Sequence, residues 1–208
     1  MSGKKMLDVL MPKLIAAEDT FRIHPYKGIG HIPKNMKDTD KANCRILLDC
    51  LPKLLKGYGK TFAGYPPATP AAVVLVCDLD DKILEGFLAD LKSILNACNP
   101  APTTRFCIAI EEGEAWFLGD VPAIIASYPN ANTEIVNSYD QDSICGTWER
   151  LADAVYQGGA RALSAKGWQG VGAEKSKWAE NITPEMDIEN NKSPSFNFFR
   201  NTVRDLVN

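Results

Sequence analysis

Histidine is scarce, and cysteine never falls in metal-ligand spacing. The 208 residues hold two histidines, His24 and His31, and each reads as a packing or surface residue. None of the six cysteines (Cys44, Cys50, Cys77, Cys98, Cys107 and Cys145) belongs to a CxxC pair, which argues against a zinc site. Several lie in apolar segments, the pattern of reduced, mostly buried thiols in a cytoplasmic protein. No apolar run approaches the roughly 20 residues that a spanning helix needs, so no membrane segment is expected. Met1-Ser2-Gly3-Lys4-Lys5 leads into no charge-free apolar stretch, and no signal peptide is expected either. Internal repeats and low-complexity tracts are absent.

What is present is an uneven charge. Residues 1–60 carry 12 Lys+Arg against 6 Asp+Glu, residues 61–160 carry 4 against 14, and residues 161–208 carry 7 against 6. An acidic middle beside a basic first third suits a metal site next to a surface that tracks phosphates, although plain solvated surface gives the same counts. The centre of the acidic part is Ala71–Asp80, AAVVLVCDLD. A run of small and β-branched residues ends in Asp78 and Asp80, and reads as a strand buried on both faces, as in a helix-covered parallel sheet. Open sheets of that kind place ligands at the carboxyl ends of their strands. Two carboxylates two residues apart point the same way in a continuing strand, and can share one hard cation with phosphate or water. The competing reading makes Asp78 a strand stop, with Asp80 or Asp81 capping the next helix.

The remaining chain alternates helix and strand. A helical stripe runs over Lys4–Ala17, with Pro12 expected to kink it or start a new segment. Thr20–Tyr26 alternates as a strand does, and a glycine-hinged turn follows at Lys27–His31. Pro33–Tyr58 is expected to be helical, closed by Gly57 and Gly59. Lys82–Cys98 is the clearest helix. Arg105–Ile110 is a second buried strand, and it too ends in carboxylates: Glu111-Glu112-Gly113-Glu114. Crowded like charges of this sort repel, and a bound cation would relieve them; a helix N-terminus would also welcome them. Residues 129–146 read as a mobile excursion. Helices are expected at Thr147–Tyr156, Ala160–Lys166, Ala173–Ile182 and Pro184–Ile188, with Gly167–Gly172 a loop. Ser193 and Pro194 are an orthodox start for a last helix. The pattern is α/β with a mostly parallel sheet flanked by helices, followed by a C-terminal helical extension.

Five stretches together carry a resemblance: Pro-Lys-Leu near the start, FRIHPYKG, VLVCDLD, IEEGEAWFLGD and NKSPSF. In this order, over nearly the whole chain, they resemble domain-of-unknown-function family 4276, a bacterial group with a TOPRIM-like core related to OLD-type nucleases. The resemblance implies a TOPRIM-like Rossmannoid core over residues 1–128, a helical extension over residues 129–208, and magnesium (or manganese) held by Asp78 and Asp80. It implies an ABC-type ATPase partner, in some relatives within antiviral defence. It also places a glutamate on a first strand ahead of the first helix, whereas this sequence starts directly with that helix. In-frame coding sequence upstream of Met1 is expected to supply that strand; otherwise the chain is truncated, or Glu112 or Glu114 substitutes.

The leading expectation is a metal-dependent nuclease or phosphodiester-cleaving subunit acting on DNA or RNA. Asp78 and Asp80 hold the cation, and Glu112 and Glu114 add a ligand or accept a proton from the attacking water. Lys177, Lys192 and Arg200 neutralise phosphate, helped by Ser193 and Ser195 at a helix N-terminus, a place that an ordinary cap would fill equally well. The alternative is a catalytically decayed scaffold or regulatory subunit that binds an ATPase. Asp78-Leu79-Asp80 also resembles the nucleophile strand of haloacid-dehalogenase-like phosphatases. Lys82 stands where that pattern wants Thr or Val, and a strand and two helices precede the motif.

Overall fold

A computed structural model describes residues 2–30 and 46–207. Its elements run α1 (Ser2–Leu14), α2 (Leu47–Phe62), β1 (Val73–Asp78), α3 (Leu84–Asn96), β2 (Thr104–Ala109), α4 (Glu114–Leu118), α5 (Val121–Ser127), α6 (Thr133–Asn137), α7 (Thr147–Val155), α8 (Gly159–Ser164), α9 (Gly167–Glu185) and α10 (Pro194–Val207). The fold is mixed α/β, 56% helical, so helix packing rather than the sheet supplies most of its regular structure. Among the described residues the sheet is two parallel strands, β1 beside β2. Val73 N donates to Thr103 O and Leu79 N to Ala109 O, both at 2.9 Å, so the register is constant along the pair.

The chain forms two compact units that interleave in sequence. One comprises Met1–Pro25, Asp78–Asp80 and Ile108–Asn208; the other comprises Tyr26–Cys77 and Asp81–Cys107. Within the first unit, α5 packs on α9 and α4 on α7.

In the first unit, α1 lies along α9. Met6, Leu10 and Leu14 recur at i, i+4 and i+8 and are buried, as one helical face requires. Lys13 Nζ seals the far end of α9, donating to Thr183 O (3.2 Å), Pro184 O (2.7 Å) and Met186 O (3.2 Å); a cation suits carbonyls left open at a helix C-terminus. Trp116 stacks on Phe199, ring centroids 4.9 Å apart, and meets Phe196 edge-on at 5.5 Å. These rings tie α4 to α10, and each large buried side chain contributes about 1.5–3 kcal/mol of transfer free energy. In the second unit, Leu48, Leu51 and Leu55 of α2 and Phe87, Leu91 and Ile94 of α3 are buried, and the two helices pack together.

Several expectations change. Thr20–Tyr26 is not a strand: Phe21 is exposed, so its alternation buries no face. The first part of Pro33–Tyr58 lies outside the described residues. α2 continues through Gly57 and Gly59 to Phe62. Gly59 serves close approach instead of termination, since a Cβ there would collide with the Pro100 carbonyl. Pro12 sits inside α1. Residues 129–146 include the short helix α6, capped by Asn132 Oδ1 accepting from Glu134 N (3.1 Å). Gly167–Gly172 opens α9, which runs unbroken to Glu185 with Pro184 in its last turn. Cys98 and Cys107 are buried, whereas Cys145 is exposed. No described helix is long and apolar enough to cross a membrane.

Candidate acidic site

Both strands end in the same way. Past β1, Leu79 N still donates to Ala109 O, and Asp80 N then reaches Glu111 O (3.1 Å), one residue out of the strand register. The chain then turns sharply at both ends through a left-handed residue, Asp80 (φ 53°) and Glu111 (φ 59°). Non-glycine residues pay a steric cost there and persist only where surrounding structure holds them. The parallel pair therefore brings Asp78-Leu79-Asp80 beside Glu111-Glu112-Gly113-Glu114, and the two acidic motifs are spatial neighbours. An added Cβ at Gly113 would sit 3.9 Å from Asp78 Oδ1, so the turn passes close against the Asp78 carboxylate.

The three acids of the second motif and their neighbours divide the work. Glu111 faces the start of α7. Its carboxylate accepts from Cys145 N (3.3 Å), Gly146 N (2.8 Å) and Thr147 N (2.8 Å), satisfying amides that a helix N-terminus leaves open. Glu112 and Glu114 face Lys175 of α9. Lys175 Nζ lies 3.0 Å from Glu112 Oε1 and 3.0 Å from Glu114 Oε2, with Glu114 only 3% exposed. Thr147 Oγ1 adds a longer contact to Glu112 Oε2 (3.4 Å).

The electrostatics follow from this crowding. Burial pushes Asp78 up to about 7, with repulsion from Glu114, Glu112 and Asp80 adding to it and Lys175 partly offsetting it. Glu114 is also raised, by burial first and Glu112 second, against the pull of Lys175. Burial alone would lower Lys175, but Glu114 and Glu112 reverse that and raise it. Glu149 of α7 is raised chiefly by burial, with Glu112 and Glu111 contributing. Its Oε2 is a buried oxygen with no hydrogen-bond partner among the described residues.

The structure brings together Asp78, Glu112 and Glu114 of the expected site. It adds Lys175 and Glu149, which sequence reading passed over. Lys175 had one sequence signal, a lysine in a helix expected to follow the acidic motifs, but Lys177 two residues on gave the same signal. Lys177 is exposed and pairs with Glu174 Oε2 at 3.0 Å; two residues along a helix point to different faces. Ser193, Ser195 and Arg200 of the expected phosphate set have internal partners. Ser193 Oγ donates to Asp142 Oδ1 (2.8 Å) and Ser195 N to Asp142 Oδ2 (2.6 Å), so a carboxylate of the chain itself meets the N-terminus of α10. Phe196 N donates back to Ser193 Oγ (3.2 Å), the ordinary cap. Trp116 Nε1 donates to Ser195 Oγ (3.0 Å). Arg200 donates to Ile188 O (2.6 Å) and Glu189 O (3.2 Å). Lys192 is exposed, its backbone amide on Gly119 O.

Among the described residues no three Asp, Glu, His or Cys side chains form a ready-made metal cage. The donor chemistry nevertheless suits a hard divalent cation, being carboxylate oxygens only, and Glu149 Oε2 is buried without a hydrogen-bond partner among the described residues. Set against known proteins, the chain matches no family model, no curated protein and no solved structure.

Proposed function

We propose that the chain is a magnesium- or manganese-dependent phosphodiester hydrolase, a nuclease or nuclease subunit with a TOPRIM-like core. The observation that carries this reading is the convergence of Asp78, Glu112 and Glu114 at the carboxyl ends of two adjacent parallel strands, where open α/β sheets bind ligands. Asp78, with Asp80 beside it in sequence, and Glu112 or Glu114 would hold the cation. When bound, it would supply electrophilic activation of the phosphate and of the attacking water. The chain's own residues supply the frame. Glu111 locks the second acidic turn to α7, and Gly113 lets that turn pass close to Asp78. With a cation bound, whichever of Glu112 and Glu114 did not hold it would be placed to take up a proton. Lys175 takes the place at this centre that sequence reading gave to Lys177. The resemblance adds the context: a cytoplasmic protein that meets DNA or RNA together with an ABC-type ATPase in bacterial antiviral defence.

A second reading has its own observation. Lys175 already neutralises Glu112 and Glu114 within the chain, as a retired catalytic centre converted to structure would. On this reading the protein is a scaffold or regulatory subunit for the ATPase. Incubation of plasmid DNA and total RNA with magnesium or manganese separates the two, run with the native chain and an Asp78→Ala/Asp80→Ala variant, each with and without the ATPase. Metal-dependent cleavage lost in the variant supports the hydrolase. Equal residual cleavage by both proteins, or none under any condition, refutes it in favour of the scaffold.

A further inference from the structure

We propose that the exposed lysine row of α2, Lys53, Lys56 and Lys60, is a docking face for the phosphate backbone of a nucleic-acid duplex. The inference rests on the reading above for the kind of partner, and on neither the acidic site nor a metal.

The two units differ in charge. Tyr26–Cys77 and Asp81–Cys107 carry 11 Lys+Arg against 6 Asp+Glu, whereas Met1–Pro25, Asp78–Asp80 and Ile108–Asn208 carry 12 against 20. An acidic chain thus keeps one basic unit, and the excess there has a focus. No Asp or Glu occurs from residue 50 to residue 77, and the cations of that stretch are Lys53, Lys56 and Lys60. All three lie on α2, and all are exposed. Their spacing sets them in one row, within about 60° of arc on a helix of 3.6 residues per turn. The opposite side of α2 holds the buried Leu48, Leu51 and Leu55. Among the described residues none of the three lysines meets a carboxylate in an ion pair. The one acid of α2, Asp49, stands in its first turn with its carboxylate against Gly30. Like charges at such spacings destabilise a helix, and a polyanion along the row would relieve them.

The make-up of the row selects among polyanions. Lysine is a compact point charge that meets phosphate without the fixed geometry of an arginine fork, as contact with a backbone of any sequence requires. Protein interfaces are depleted in lysine and enriched in arginine and aromatic rings, and the row has neither. Helices that lie on anionic membranes bury an apolar face in the lipid beside their cations, but the apolar face of α2 is buried in its own unit. Single strands are bound on stacking rings, and Tyr58 and Phe62, 5.5 Å apart, stand on the opposite side of the helix from the row. Gly57 lies beside the row in open space, since an added Cβ there would meet nothing within 4 Å; a phosphate backbone can approach the helix closely. Along its axis the row spans about 10.5 Å, the length of about three successive phosphates of one strand at roughly 3.4 Å each.

Fluorescence anisotropy of labelled DNA and RNA duplexes of about 20 base pairs tests the face, with KCl varied from about 50 to 200 mM and EDTA present. EDTA stops metal-dependent cleavage, so docking and hydrolysis are read separately, and the two duplexes separate DNA from RNA as the source of the phosphates. The native chain is compared with Lys53→Gln/Lys56→Gln/Lys60→Gln and with Arg161→Gln/Lys166→Gln/Lys177→Gln, which removes the same charge from exposed positions of the acidic unit. Glutamine matches lysine in helix propensity, and circular dichroism checks the fold. The α2 variant is expected to bind about tenfold more weakly at the lowest salt, with a salt slope shallower by about 2.7, or roughly 0.9 for each lost phosphate contact. The control variant is expected to keep the native slope. Equal slopes in the native chain and the α2 variant, an equal loss in both variants, or no duplex binding by the native chain overturns the proposal. So does binding to phosphatidylglycerol vesicles that the α2 variant loses while its duplex binding is unchanged, which would make the face a membrane contact. Docking through α2 by a chain that cleaves nothing with magnesium or manganese refutes the hydrolase and leaves the docking face standing.

Discussion

Replacing Asp78 by Asn is expected to stabilise the metal-free protein at pH 8 and to do nothing at pH 4. Asp78 has an ordinary value of 3.8 and is pushed up to about 7, by burial first and then by Glu114, against Lys175. A raised carboxylate binds its proton more tightly folded than unfolded. Its stabilising contribution is fully present below the unfolded value of 3.8 and is lost as pH rises toward about 7. Between those limits the folded chain holds one more proton than the unfolded chain, so stability falls by about 1.4 kcal/mol for each pH step. Over the whole interval the loss is about 4 kcal/mol. Asp78 keeps partial access to solvent, which weakens burial and repulsion, and roughly 2–3 kcal/mol is the working figure. Lys175 is raised above its ordinary 10.5, so its contribution persists throughout this window. Asparagine keeps the shape and removes the charge, so the native and Asp78→Asn proteins should have equal stability at pH 4 and diverge up to pH 8. Urea unfolding at pH 4, 5, 6, 7 and 8 in chelator-treated buffer measures it. A difference that stays flat with pH, or an Asp78→Asn protein less stable at pH 8, would refute the argument that a crowded, buried carboxylate sits at the end of β1.

Lys175→Met should lower metal-free stability by about 3 kcal/mol, the scale for removing one partner of a buried ion pair, read as a lower urea midpoint; a loss under 1 kcal/mol would mean the bridge is solvated. Glu111→Ala should cost about 1–2 kcal/mol through the uncapped start of α7, with faster amide exchange at Gly146 and Thr147 as the local sign. Asp142→Ala removes the acceptor of Ser193 Oγ and Ser195 N and should cost about 1–3 kcal/mol. Thermal melts of Asp142→Ala and Asp142→Asn, the second keeping one acceptor oxygen, would show whether the hydrogen bonds or the charge matters more.

Both strands were legible in the sequence because nothing else explains a β-branched apolar run that stops at carboxylates. Their pairing explains why two acidic motifs about 30 residues apart form one site. The division of labour within Glu111-Glu112-Gly113-Glu114 was not legible. Glu111 differs from Glu112 only in facing α7, and that follows from a left-handed turn that no local pattern announces. Lys175 and Lys177 are equivalent until the rotation of α9 against the acidic turns is fixed by packing of Trp178, Ala179 and Ile182, all buried. The Ser193–Ser195 start of α10 was read as open to phosphate because helix N-termini attract anions. The attraction is met from within: Asp142, 51 residues earlier and with φ 55°, supplies the anion. The alternation of Thr20–Tyr26 misled because periodicity reports a face only where there is something to bury it against.

Acidic crowding of this kind has three physical outlets: protonation, an internal cation, or an external one. Lys175 supplies the second by pairing with Glu112 and Glu114, and burial with repulsion favours the first at Asp78. Asp78 is drawn toward the protonated state near neutrality, and Lys175 is spent on Glu112 and Glu114, yet neither outlet closes the account for Glu149. A site built only for rigidity has a simpler solution, since apolar residues of similar volume in place of a buried ion cluster are often neutral or stabilising. Keeping Glu112 and Glu114 around Lys175, beside the raised carboxyl of Asp78, sacrifices stability, and structure gains nothing obvious in return. The cost becomes intelligible if, as proposed, the carboxylates are held for a cation. On that argument manganese affinity should rise with pH through the region of about 7 in the native chain, because Asp78, raised to about 7, must lose its proton to bind the ion; an affinity that stays flat with pH would refute it.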